Sequence, residues 1–185
     1  TTVATGNVVV SPSEFLPRLF EQGGKLFNAK GQITVDTPEA LAALKNSRET
    51  NACSDRTEHD IWKNVLEGFA DGSAAMTVVF INYASHILNS KMSSIAGKLG
   101  FAPVPGGTPL SGGGVVGITR SCAHPETACA FLSWLYSNQT APAFTLLGGL
   151  SPCRSAYSNR DIKERYPWLS AARRSFPSAQ RRSGS

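Results

Sequence analysis

Ser85 stands directly before His86, and Ser121 lies close to His124, so two pairings invite a nucleophile-and-base reading. An activated nucleophile needs a base that a third group holds in place, and adjacency along the chain does not supply that geometry. His86 falls on a predicted helix and His124 just before another, so surface and capping roles account for both. There is no GxSxG elbow. Gly112, Gly113 and Gly114 suggest a phosphate loop, but their order is wrong. They precede a strand-like run, whereas a phosphate loop follows a strand and opens a helix with Lys and then Ser or Thr. Small residues here instead let backbone approach another surface or a ligand closely. Asp55, Glu58 and Asp60 read as charges complementing a helix dipole rather than as the paired carboxylates of glycoside hydrolysis. Cys53, Cys122, Cys129 and Cys153 form no CxxC pair, and His59, His86 and His124 do not complete a zinc spacing. The sequence therefore calls for no metal and no other cofactor. The cysteines suit buried thiols as well as one or two disulfides.

What remains is binding chemistry, and Trp62 to Ser85 holds the richest signal. Val65, Leu66, Phe69 and Ala70 recur at helical spacing. Gly72 sits where a helix stop and a left-handed cap are expected. Ala74 to Ile81 is apolar and β-branched without strict alternation, which predicts a strand covered on both faces. Asn82 and Tyr83 follow at that strand's carboxyl end, the edge where open α/β sheets place ligands. An aromatic ring beside an amide suits a binding cleft better than catalytic machinery.

The flanking elements are predicted in the same way. Ser11 to Gln22 reads as a helix, with Pro12 in its first turn and Phe15, Leu16, Leu19 and Phe20 on one face. Two short extended pieces surround the turn Asn28-Ala29-Lys30-Gly31. Asp36 or Thr37 caps a second helix whose core face is Ala40, Leu41, Ala43 and Leu44, with Pro38 at its first position. A helix from Ala84 to about Met92 leads to a strand over Gly97 to Pro105. Val115 to Thr119 reads as a further buried strand. Pro125 opens a helix with Ala128, Phe131, Leu132 and Leu135 inward. Another covers Thr140 to Leu147 and stops at Gly148-Gly149. Helical turns separated by Pro152, Pro167 and Pro177 complete the chain. Strands alternating with helices imply an α/β layered fold.

Bulk properties bound the classes. With 185 residues, 41% of them apolar and 17% charged, the chain has a globular composition. No apolar run approaches a membrane span, and no signal pattern opens the sequence. The net charge of +5 is uneven, because Arg173, Arg174, Arg181 and Arg182 crowd the end. That tail reads as solvated and frayed rather than as a nucleic-acid surface, which would interleave basic and aromatic residues.

Taken in order, several segments resemble the extracellular solute-binding proteins of ABC importers, the carbohydrate-binding family that includes maltose-binding protein. FEQGGKLFNAKGQITVDTPEALAAL resembles that family's helix, Gly-Gly, "F-D-x-x-G" turn and "S-P-E-A" helix. EGFADGSAAMTV resembles its "A-F-x-x-G-x-A-A-M" signature. GKLGFAPVPGG, SGGGVVGITRSCAHPETACAFLSWLYS and TLLGGLSPCRSAY resemble its later motifs, and the likeness runs from about residue 12 to 170. The resemblance implies a periplasmic-binding-protein-like (type II) α/β lobe, with layered helices around a short mixed sheet, taken from the carboxyl-terminal portion of the family's fold. Residues 1–105 and 150–185 would belong to the carboxyl-terminal lobe, and 106–149 to a segment that returns to the amino-terminal lobe. It implies a non-enzymatic binding component that takes a sugar or similar small solute and docks on a membrane permease. The location implied is extracellular or periplasmic, with lipid anchoring in a full-length parent. A region separated from its usual packing partners would cover its apolar face by rearrangement or as a homodimer through 110–149.

The resemblance also assigns ligand contacts. Phe80, Asn82 and Tyr83 occupy the turn where the family has an aromatic contact, with Asn82 at its frequent Trp. Gly113 and Gly114 match a "G-G-W" cleft segment, with Gly114 in the place of the Trp. Arg154 matches a basic position after the second Gly-Gly, and Glu14 lies at the start of a helix that often faces the cleft. Two readings from other classes stand beside this one: an interaction module that kept the lobe without transport, and an α/β hydrolase, for which no converging catalytic groups are visible.

Overall fold

A computed structural model describes residues 11–54 and 62–181. In chain order the elements are α1 (Ser11–Glu21), α2 (Pro38–Ala52), α3 (Trp62–Ala70), α4 (Ala84–Ile87), β1 (Leu110–Ser111), α5 (Pro125–Leu135), α6 (Thr140–Leu146), α7 (Arg160–Arg165), α8 (Leu169–Ser175) and β2 (Gln180–Arg181). The chain divides into two compact units. The first comprises Thr1–Gly112 with Ala171–Ser185, and the second Gly113–Ser170.

The first unit is built on the packing of α1 against α2. Leu16 and Leu19 from α1 meet Ala40 and Ala43 from α2, with Phe15, Phe20, Leu26 and Leu110 closing around them. Leu19, Ala40 and Ala43 are all 0% exposed. Alanines at the contact let the two helix backbones come close, and the leucines fill the space between them. Arg18 reinforces the pair: its Nε donates to Asn46 Oδ1 at 3.1 Å, and its Nη1 meets Glu14 Oε2 at 3.3 Å and the Glu14 carbonyl. Thr37 starts α2 as expected, its hydroxyl accepting from Ala40 N at 3.2 Å with Pro38 next in line. Between the helices, Asn28 Oδ1 accepts from Lys30 N and Gln32 N, and Gly31 takes φ of 75°. That Asx turn closes the Phe27–Ile33 bridge.

The last residues return to this unit. β2 pairs in parallel with β1, with Leu110 opposite Gln180 and Ser111 opposite Arg181. The carboxyl-terminal segment through Arg181 is thus helix, turn and strand, not the frayed tail expected from its charge. Thr108 donates to the Pro17 carbonyl at 3.1 Å, which ties the approach to β1 onto α1.

The second unit is a group of short helices held by polar anchors. Tyr166 Oη donates to Leu146 O at 3.0 Å, and Tyr157 Oη to Ser151 O at 2.6 Å. Asn159 caps α7 through Asp161 N and Ile162 N, and Ile162, like Ala141 and Ala156, is fully buried. The Cys153 thiol lies 3.0 Å from Tyr136 O.

Several expectations fail. Ala74 to Ile81 builds no strand: Thr77 makes an isolated bridge, Met76 is 66% exposed, and Ile81 opens a 3-10 turn. Gly97 to Pro105 is turn and loop, and Val115 to Thr119 is exposed loop, with Val115 at 99%. Apolar β-branched residues favour a pleated, half-buried surface, but a strand exists only where a neighbouring backbone accepts its ladder. Among the described residues the one named ladder joins β1 and β2. On α2, Leu41 and Leu44 are exposed while Ala40 and Ala43 carry the contact. Phe131 on α5 is exposed too. The helix after Tyr83 ends at Ile87 rather than near Met92. Asp55, Glu58, His59 and Asp60 lie outside the described residues.

These burial differences give a direct test. Leu19→Ala empties a fully buried site and should cost about 3 kcal/mol, within the usual range for such truncations. Leu41→Ala, at a residue 55% exposed, should cost less than about 1 kcal/mol. Urea unfolding of the two variants reads the difference, and equal losses would contradict this placement of the core.

Candidate functional site

The segment from α3 to α4 is positioned residue by residue. Val65, Leu66 and Ala70 bury one face of α3. Gly72 ends the helix with φ of 88°, and its N–H bonds Phe69 O at 3.1 Å. A side chain there would be strained by that φ and would stand 3.2 Å from Ile95 Cγ2. The loop after α4 holds the end of α3: Ser94 N donates to Ala70 O at 2.8 Å and Ser94 Oγ to the same oxygen at 3.1 Å. Ser73 N donates to Asp71 Oδ1 at 2.8 Å, tightening the turn that releases the chain toward Phe80.

Phe80 is extended, at φ −67° and ψ 144°, and opens a 3-10 turn over Ile81–Tyr83. Tyr83 N donates to Phe80 O at 3.0 Å, so the carbonyl of Phe80 fixes the residue that carries the phenol. Ala84 and Ile87 are buried and anchor the following helix. In this frame Asn82 is exposed, while Phe80 and Tyr83 are half-buried on either side of it. One short turn thus carries an exposed amide and two partly covered rings.

Gly112 lies against the ring of Phe80. A Cβ built there would lie 3.0 Å from Phe80 Cε1, 3.5 Å from Cδ1 and 3.6 Å from Cζ, so one edge of the ring rests against this glycine. The sequence signal for it was the glycine run itself, which marked a close backbone approach without saying which glycine or against what.

The other residues singled out are placed as follows. Glu14 is buried on α1 with its carboxylate against Arg18. Gly113, Gly114 and Arg154 belong to the second unit and are exposed there, with open space around both glycines. Ser85 and His86 are successive residues of one helix, a spacing that does not turn side chains toward each other. His124 is the residue before α5 and is exposed. No disulfide and no cluster of three metal-binding side chains occurs among the described residues. An open depression of 460 Å³, lined by Glu67, Ala70, Asp71, Lys91, Met92 and neighbouring serines, contains none of the residues assigned to ligand contact.

Residues 4–170 match the profile of a bacterial extracellular solute-binding protein. The chain belongs to that family. It is 22% identical over 147 residues to a probable amino-acid ABC transporter periplasmic-binding protein of Sinorhizobium fredii, covering 78% of this chain and 34% of that protein. It is 32% identical over 84 residues to a putative ABC transporter periplasmic-binding protein of Escherichia coli K12, covering 45% of this chain and 18% of the relative. Among solved structures, maltose-bound MalE3 of T. maritima superposes with a TM-score of 0.79 at 25% identity, over 97% of this chain and 49% of that one. A solute-binding protein of Agrobacterium radiobacter K84 in complex with ribitol superposes with a TM-score of 0.78 at 20% identity, over 96% and 47%. The fold is that of the type II periplasmic solute-binding proteins, and the chain spans about half the length of these two structures. The family is a binding component of transport, extracellular or periplasmic in setting. No helix among the described residues is long and apolar enough to cross a membrane.

The turn that ends α3 makes a titration prediction. Asp71 is held below the ordinary carboxylate range first by the Ser73 backbone N–H and then by the Ser73 hydroxyl. The hydroxyl has one proton, and it is directed to Gly68 O at 2.6 Å, so the backbone bond carries most of the effect. A lowered folded-state pKa contributes stability above the unfolded value, near 3.9, and loses it as pH falls through the lower folded value. Carboxyl-detected NMR should place the Asp71 midpoint below about 3.9 in the native protein. Ser73→Ala should leave most of that lowering in place, and a return to the ordinary value would contradict the assignment.

Proposed function

We propose that this chain supplies ligand-binding surface to the solute-binding component of an ABC importer, and that its ligand is a carbohydrate or polyol. The observation that carries this reading is the turn in which exposed Asn82 stands between half-buried Phe80 and Tyr83. Sugars and polyols pair C–H faces that suit aromatic rings with hydroxyls that suit an amide. Membership of the solute-binding family supports the transport role, with a membrane permease as the partner and no catalysis by the chain. Lipid anchoring of a longer parent belongs to the same reading. The maltose and ribitol in the two structural neighbours support the ligand class. Gly113, Gly114 and Arg154 are assigned to ligand contact by resemblance alone. Glu14, engaged by Arg18, contributes by holding α1.

Isothermal titration with maltose, ribitol and a panel of amino acids tests the proposal. Saturable binding of a sugar or polyol is expected, and Tyr83→Ala should weaken it about tenfold, on the order of 1.4 kcal/mol. Binding of amino acids alone would replace the ligand class. Sugar binding unchanged by Tyr83→Ala would remove the turn from the site.

A second reading concerns association and rests on the second unit. Val115, Val116 and Ile118 are exposed in succession, and α5 exposes Phe131 and Trp134, whose ring centroids are 5.8 Å apart. Apolar surface of this kind marks contact with another chain more often than with water. We propose self-association through residues 110–149. Light scattering should give a dimer that Val115→Lys with Trp134→Lys converts to monomer. A monomer at all concentrations with native residues present would end this reading.

A further inference from the structure

We propose that Gly112 is a positioning residue for the ligand-binding turn: its missing side chain seats the edge of Phe80 and thereby sets the placement of Asn82 and Tyr83. The inference rests on the sugar-binding reading for its functional meaning, and on local geometry for its physical content. Carbon atoms in contact prefer separations of about 3.5–4.0 Å. A methyl group at Gly112 would stand 3.0 Å from Phe80 Cε1, so the ring would have to move by several tenths of an ångström. The requirement belongs to this position alone within the run of three glycines. A Cβ at Gly113 or Gly114 would meet nothing within 4 Å. Nor is Gly112 needed for a left-handed backbone, because it is not among the positive-φ glycines. A side chain there is therefore opposed by the ring and not by the dihedral angle.

The seat is itself anchored. Gly112 directly follows β1, whose Leu110 and Ser111 pair with Gln180 and Arg181. Leu110 also packs on the core of α1 and α2. Phe80 in turn accepts the Tyr83 N–H that closes the 3-10 turn. A push on the ring is transmitted through one residue to the turn bearing the amide and the phenol, while β1 resists moving in the other direction.

The experiment compares Gly112→Ala, Gly100→Ala, Phe80→Leu and the Gly112→Ala/Phe80→Leu pair in the full chain. The two glycine substitutions remove the same freedom from the unfolded chain, so their difference isolates the seat. Titration with maltose and with ribitol should show Gly112→Ala weakening binding by about fivefold or more and changing the ratio of the two affinities. Gly100→Ala, at a glycine where a Cβ would also meet nothing within 4 Å, should stay within about twofold of wild type. In the double variant the smaller side chain should relieve the push, so the loss is less than the product of the single losses. Equal behaviour of the two glycine variants, or simple multiplication in the double variant, would overturn the proposal.

A ligand-independent measurement separates this outcome from failure of the sugar reading. In wild-type protein the Gly112 Hα resonances should carry a ring-current shift that Phe80→Leu abolishes, and the unfolding equilibrium constants should show the same non-multiplicative pairing. If neither sugar binds wild type, the ligand class falls. The seat then stands on the shift and the pairing together, and absence of either refutes it.

Discussion

The contact between α1 and α2 is the constraint from which the first unit follows. Ala40 and Ala43 present almost no side chain, which allows Leu16 and Leu19 to reach the facing helix and exclude water. Burial of such leucines contributes roughly 1.5–3 kcal/mol each. The Arg18–Glu14 pair lies within α1, and Arg18 also crosses to Asn46 on α2. With the helix pair fixed, Leu110 has an apolar surface to cover and Thr108 has a carbonyl to find. β1 is located by both, and β2 by β1.

From that anchored strand end the geometry passes to the proposed site by a single steric contact. Gly112 meets the ring of Phe80, and the carbonyl of Phe80 begins the turn that carries Asn82 and Tyr83. The other side of the turn is held through backbone and serine hydrogen bonds to the end of α3. A short exposed turn is thus supported from two directions, which suits a surface that has to present an amide and two rings without reorganising on binding.

The second unit is organised differently. Its helices are short, and their burial centres on Ala141, Thr145, Ala156 and Ile162 with tyrosine hydroxyls bonded to backbone carbonyls. Tyr157 illustrates the compromise: burial raises its pKa, and its hydroxyl finds a partner in Ser151 O. The apolar residues left at its surface are those the sequence would most readily assign to a strand and a helix core, namely Val115, Val116, Ile118 and Phe131.

Local signals in the sequence were enough for the helices and turns whose causes are local. Thr37-Pro38 starts α2, Gly72 ends α3, Pro125 opens α5 and Asn28 with Gly31 forms the Asx turn, because each depends on dihedral freedom or on a hydrogen bond a few residues away. The family was legible for a related reason: its motifs are strings of such punctuation at set spacings. Strands and the choice of buried face were not legible. Ala74–Ile81 and Val115–Thr119 have strand-like composition, yet pairing needs a distant backbone, and β1 and β2 find each other across about 70 residues. Leu41 and Leu44 looked like core by periodicity, but the partner helix fits against the alanines. The sequence by itself determined the helix starts and stops that have local caps, the family and the turn bearing Phe80, Asn82 and Tyr83. Tertiary structure alone decided that Gly112 is the glycine on which that turn rests, because a steric fit between residues 32 apart has no local signature.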